Sequence, residues 1–194
     1  MPIPRRRRPA PRRIDVVTGA AAVLALALSG CVGAPPAPTP SPSTPAEPIF
    51  ASDEEALAAA EEAYARFLLT STAVTNDGGA DAERLDAVAT GLVLDDERSA
   101  AKRFREQGLR TVGVVDFRVE DVQSVMADSG GASIALYVCD DLRGLDLLDA
   151  DGNSLVVDGR VVDVPYTVAV EGADADSLKV SEKELWTRDN FCLL

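Results

Sequence analysis

Histidine is absent from all 194 residues. That removes the side chain whose ordinary pKa lies nearest neutrality, and it excludes Ser-His-Asp and Cys-His catalysis. Acid and base work would fall to Asp, Glu, Tyr or Lys, each needing a strongly shifted pKa. Positive charge is nearly as scarce where it would matter. Arg5, Arg6, Arg7, Arg8, Arg12 and Arg13 are six of the 19 basic residues, whereas Asp15 alone of the 32 acidic residues lies before Cys31. From Cys31 onward that leaves 13 basic against 31 acidic residues, a balance of −18. Such a surface repels phosphate backbones and anionic lipid headgroups, so nucleic-acid binding is excluded. There is no glycine-rich phosphate cradle and no nucleophile paired with its base. No apolar run reaches the roughly 20 residues that a membrane-crossing helix needs.

What the chain does have is an ordered N-terminus. The arginines are followed by the 13 apolar or small residues Val16 to Leu28, then by Ser29, Gly30 and Cys31. Basic, apolar and small in that order is the pattern of an export signal. Leu28-Ser29-Gly30-Cys31 resembles the bacterial lipobox, whose cysteine receives diacylglycerol before signal peptidase II cuts in front of it. The resemblance implies a signal peptide over 1–30 and a lipid on Cys31. The protein is then expected on the extracytoplasmic face of the cell membrane, its membrane partner reached through that lipid. Arg12-Arg13 also fits a twin-arginine export signal, but Pro11 and Asp15 flank the pair poorly and the general secretion route is preferred.

Residues 31–48 form a linker: of the 17 residues from Val32 to Pro48, seven are proline. Proline beside small residues favours extended polyproline II and buries nothing, so the segment reads as a spacer. Beyond Pro48 the only proline is Pro165, which places one domain over 49–194.

Within that domain, Ser52 and Glu55 have capping-box spacing. Leu57, Ala60, Tyr64, Phe67, Leu68 and Val74 then recur every three or four residues, as on one face of a long helix. After Asp77-Gly78-Gly79, a short second helix is expected with Asp81 as cap and Leu85, Val88 and Leu92 inward. A third is expected from about Asp95 to Gln107, stopped by Gly108. The period then changes to two. Val115, Phe117 and Val119 alternate with charged residues, and Asp128 to Gly131 turns the chain into a run ending at Cys139, with Ile134, Leu136 and Val138 on one face. Further strands are expected at Leu155–Val157, Val161–Val170 and Leu178–Trp186. Helices followed by strands predict an α+β fold, with one long and two short helices on one face of a curved, mainly antiparallel sheet. This order resembles the NTF2-like or cystatin-like roll of secreted actinobacterial lipoproteins. That superfamily's cone holds a binding pocket, an active site or nothing functional.

Several residue groups invite a chemical reading. Asp149, Asp151 and Asn153 match the first spacings of a calcium loop, but Ser154 stands where the turn glycine belongs and Arg160 where the closing Glu belongs, so a polar turn is preferred. Asp140, Asp141 and Asp146 read as a surface acidic patch needing no metal. Tyr64, Tyr137 and Tyr166 with Asp116 would suit a ketosteroid-isomerase-like cone, yet no motif carries those roles over, and aromatic residues on such faces, Trp186 included, are usually packing. Cys139 and Cys192 remain once Cys31 is lipidated, and outside the membrane they are expected to pair.

The sequence therefore assigns no catalytic residue, no metal and no cofactor. It favours a non-catalytic, membrane-anchored module that binds an unknown small ligand or envelope protein. The alternatives are a small isomerase or dehydratase working through Asp and Tyr, and an accessory subunit of an envelope complex. The anchoring expectation has a direct check: intact mass of the membrane-extracted protein should show a chain beginning at lipid-modified Cys31, and Cys31→Ser should abolish that species. An unmodified Cys31 in the mature chain would contradict it.

Overall fold

A computed structural model describes residues 49–128 and 130–193. The leader over 1–30, Cys31 and the linker over 31–48 lie outside those residues. The long helix α1 runs Asp53–Asn76, with the Ser52 hydroxyl accepting the Glu55 N–H at its start. Glu55 reaches back to the N–H of Ala51 rather than of Ser52, one residue beyond the reciprocal capping box. Ala56, Ala60, Ala63, Tyr64, Phe67 and Leu68 form its buried stripe. Each large apolar side chain so buried stabilises the fold by about 1.5–3 kcal/mol.

The second helix is a single stretch of 3-10 helix, Ala82–Ala87, and Asp81 does not cap it. Asp81 instead sits in the left-handed region at φ 48°, with no side-chain capping bond. Helix α2 spans Gly91–Gln107, so it starts four residues before the expected Asp95, and Leu92 lies exposed on it rather than inward. The early start has a tertiary cause. Residues 88–90 hook onto a strand near the C-terminus: Val180 N–H donates to Val88 O and Thr90 N–H to Val180 O, both at 2.9 Å. Gly108 ends α2 in the left-handed conformation, as its position predicts.

Six strands follow: β1 (Arg110–Gly113), β2 (Asp116–Asp128), β3 (Gly131–Asp141), β4 (Leu145–Leu148), β5 (Asp163–Gly172) and β6 (Lys179–Leu185). All strand pairs are antiparallel, β2-β3-β5-β6 in one sheet and β1-β4 in another. This is the expected α+β class, with α1 packed on one face of the four-stranded sheet. Residues 155–157 are not a strand; they only follow the outer edge of β4, where Leu155 N–H donates to Leu147 O at 2.8 Å. The strands β1 and β4 escaped the pattern reading because four residues are too few to display a period.

The core lies between α1 and the inner row of the sheet, Ala132, Ile134, Leu136 and Val138 of β3 with Val168 and Val170 of β5. Register shifts after Val119 and Val122 in β2 are bulges. They keep Phe117, Val119, Val122 and Val125 turned to the core although their spacing is two, three and three.

One close approach joins the helices. Gly79, at φ 83°, has its backbone against α2, and a Cβ there would lie 2.0 Å from the Ala101 carbonyl oxygen. Gly152, at φ 84°, has nothing within 4 Å of the same position. Both substitutions to alanine carry a left-handed penalty of roughly 1–2 kcal/mol, but Gly79→Ala adds an overpacking cost of about 1–3 kcal/mol. Urea unfolding of the two variants should separate them by that amount, and equal midpoints would refute the contact.

Candidate functional site

The alternation that carries Ile134, Leu136 and Val138 inward also carries Asp140, two residues further, onto the core face. Its carboxylate is 2% exposed and accepts two bonds: from the Tyr64 hydroxyl at 2.8 Å and from the Lys183 ammonium at 2.7 Å. Tyr64 comes from the middle of α1 and Lys183 from β6, so three elements meet on one carboxylate. Strict alternation from Val180 would turn Lys183 outward. A register shift at Ser181 reverses this, setting Val180 opposite Val170 and Lys183 opposite Val168, both on the core face.

The lysine is sheathed in aromatic rings. Its ammonium lies 4.4 Å from the ring centre of Tyr166, 5.5 Å from that of Tyr64 and 5.7 Å from that of Phe67. Burial, followed by the Asp140 charge and the hydrogen bond to it, pushes the Tyr64 hydroxyl well above the ordinary tyrosine range. Tyr166 is raised for the first two of these reasons. A phenol held protonated beside a compensated carboxylate is a poor acid and a poor base. The arrangement fastens α1 to the sheet and keeps the Asp140 carboxylate and the Tyr64 ring out of solvent, with Lys183 partly exposed.

The Asp116–tyrosine pairing, which the sequence reading set aside in favour of packing, does not form. Asp116 is exposed at the start of β2, beside a hollow lined by Leu68, Asn76, Val114 and Phe117, with no tyrosine in it. Tyr64 and Tyr166 lie on the inner face of the sheet, while Tyr137 lies on the outer face, where its ring packs edge-on against Trp186 and Phe191 at 5.5 and 5.8 Å. The acidic patch also dissolves. Asp140 is the buried group just described, Asp141 pairs with Arg143, and Asp146 accepts the Ser154 hydroxyl at 2.7 Å.

At the former calcium candidate, Asp149 folds back on its own turn. It accepts the backbone N–H groups of Asp151 and Asn153 at 2.9 and 2.8 Å, together with the Asn153 amide. These bonds, the Asn153 amide first, hold the Asp149 carboxyl below its usual range. The sequence preference for a polar turn describes this geometry.

Cys139 and Cys192 stand as a bonded pair, Cα atoms 5.7 Å apart, across 53 residues. In the chain-entropy description a loop of that length contributes about 4 kcal/mol. Arg118 adds a bond to the Cys192 carbonyl at 2.8 Å and Asn190 one to the Asp163 carbonyl at 3.1 Å, so the C-terminal segment is clamped over one end of the outer face.

No family model and no curated protein matches the chain. Among solved structures, the intermembrane space region of the chloroplast protein ARC6 is similar, with a TM-score of 0.50 and 17% identity over 65% of this chain and 92% of that one. At that identity the likeness concerns the fold alone. A de novo designed β-sheet protein also aligns, at 17% identity over 64% of this chain and 85% of that one, but its TM-score of 0.25 is too low to indicate a common fold.

The buried cluster makes a quantitative demand. Lys183→Met leaves the Asp140 carboxylate without its cation and should cost about 3–5 kcal/mol, whereas Lys183→Met with Asp140→Leu should regain much of that loss. Urea titrations of the single and double variants test this, and a double variant as unstable as the sum of the singles would contradict it.

Proposed function

We propose that the protein is an extracytoplasmic, membrane-anchored lipoprotein whose domain is a non-catalytic interaction module. The leader, Leu28-Ser29-Gly30-Cys31 and the proline-rich linker support the anchoring. One observation carries the non-catalytic part: the face of the sheet that would enclose a substrate is filled by Tyr64, Phe67 and Leu68 of α1, and the carboxylate it hides is already neutralised by Lys183. An Asp–Tyr enzyme needs its carboxylate at a cavity wall, within reach of a reacting atom. Asp140 has the tyrosine but no such access.

With the inner face occupied, recognition falls to the outside of the domain, which favours docking to an envelope protein over capture of a small ligand. Native mass spectrometry after mild detergent extraction tests the reading. The protein should leave the membrane in an assembly heavier than its own chain and without a stoichiometric small molecule. A lone chain carrying such a molecule, or a turnover abolished by Asp140→Asn, would overturn the proposal.

A further inference from the structure

Val112, Val114, Leu155, Val157 and Val161 are 44–71% exposed and belong to one lobe. Backbone bonds join its parts: Val114 N–H donates to Gly144 O at 3.3 Å, Leu155 N–H to Leu147 O at 2.8 Å and Leu142 N–H to Val162 O at 2.8 Å. Arg160 fixes the 154–162 loop against β4 by donating to the carbonyls of Leu142 and Leu145. No residue of 142–148 or 154–162 is buried. The lobe therefore holds five large apolar side chains in water on a hydrogen-bonded backbone, the kind of surface a partner can cover.

The charge around the lobe selects what covers it. Arg143 is spent on Asp141 and Asp163, and Arg160 is turned onto backbone carbonyls. Against Arg110 of β1, the lobe's one arginine whose side chain is in no ion pair or hydrogen bond among the described residues, stand three carboxylates without an ion-pair partner there, Asp149, Asp151 and Asp158. We infer that this lobe is the docking surface for a protein segment presenting apolar side chains between lysines or arginines, an inference that rests on the interaction-module reading above. A second copy would bring another −18 against this acidic rim, and an anionic bilayer would be repelled by it.

Position agrees with a protein partner. The lobe joins α1 at its C-terminal end, where Thr75 meets Thr111 at 2.7 Å and Asn76 donates to the Gly113 carbonyl at 3.0 Å. The chain enters the domain at Ile49, before the other end of the 24-residue helix, about 36 Å away along its axis. The lobe and the point of attachment thus sit at opposite ends of the longest element.

Photocrosslinking of the full-length chain in its own membrane tests this, with Val157 replaced by benzoylphenylalanine in one variant and Met126, exposed on β2, so replaced in another. Mass spectrometry should map the Val157 crosslink to a segment that is apolar and net positive. Asp151→Lys with Asp158→Lys should lower its yield tenfold or more. A crosslink to a second copy, to lipid or to an acidic segment would overturn the inference, as would a yield insensitive to charge reversal. A protein crosslink from position 126 with none from 157 would overturn the lobe and leave the interaction module standing; none from either would sink both.

Discussion

A carboxylate placed in an apolar core has to be compensated, and that requirement at Asp140 organises the domain. An isolated buried charge is far too costly to persist, so the fold must deliver a cation and a hydrogen-bond donor to one point. Tyr64 can arrive only if α1 lies across β3 in one rotation. Lys183 can arrive only if β6 carries its register shift at Ser181. Apolar packing alone would tolerate small slides of helix over sheet, whereas the bonds to Asp140 at 2.7 and 2.8 Å do not.

How much of this was legible follows from the range of each cause. The α1 stripe and the β3 row are periodic over many residues, and both were readable. The stop at Gly108 and the turn at Asp149 depend on local backbone chemistry and were readable too. Apart from the Asp81 cap, lost to that residue's own left-handed backbone, what failed was set at a distance. The start of α2 comes from a hook onto β6, and the sheet between β1 and β4 from pairing across some 35 residues of chain. Asp140 was readable in principle, since it continues the Ile134, Leu136, Val138 alternation, but its neighbours Asp141 and Asp146 made it look like one member of a surface patch. Lys183 was not readable, because strict alternation puts it on the wrong face and only the bulge corrects this.

The two faces of the main sheet have different employment. The inner one is closed by α1 and its aromatic rings. The outer one carries the clamped C-terminal segment over one end, where Tyr137, Trp186 and Phe191 pack edge-on against one another and Cys139 bonds Cys192. Disulfide, Arg118 and Asn190 act together on a segment too short to bury itself, substituting covalent and polar ties for missing apolar area.

The place of Lys183 in the chain has a consequence for the order in which the domain assembles. Synthesis from the N-terminus delivers α1 and β3 before β6, the strand that carries residue 183. Until then the nascent domain has a carboxylate on the face it would bury and no ammonium to meet it. Seating α1 and setting the register of β6 are therefore one event, because the ammonium that completes the Asp140 cluster arrives only with the shifted strand.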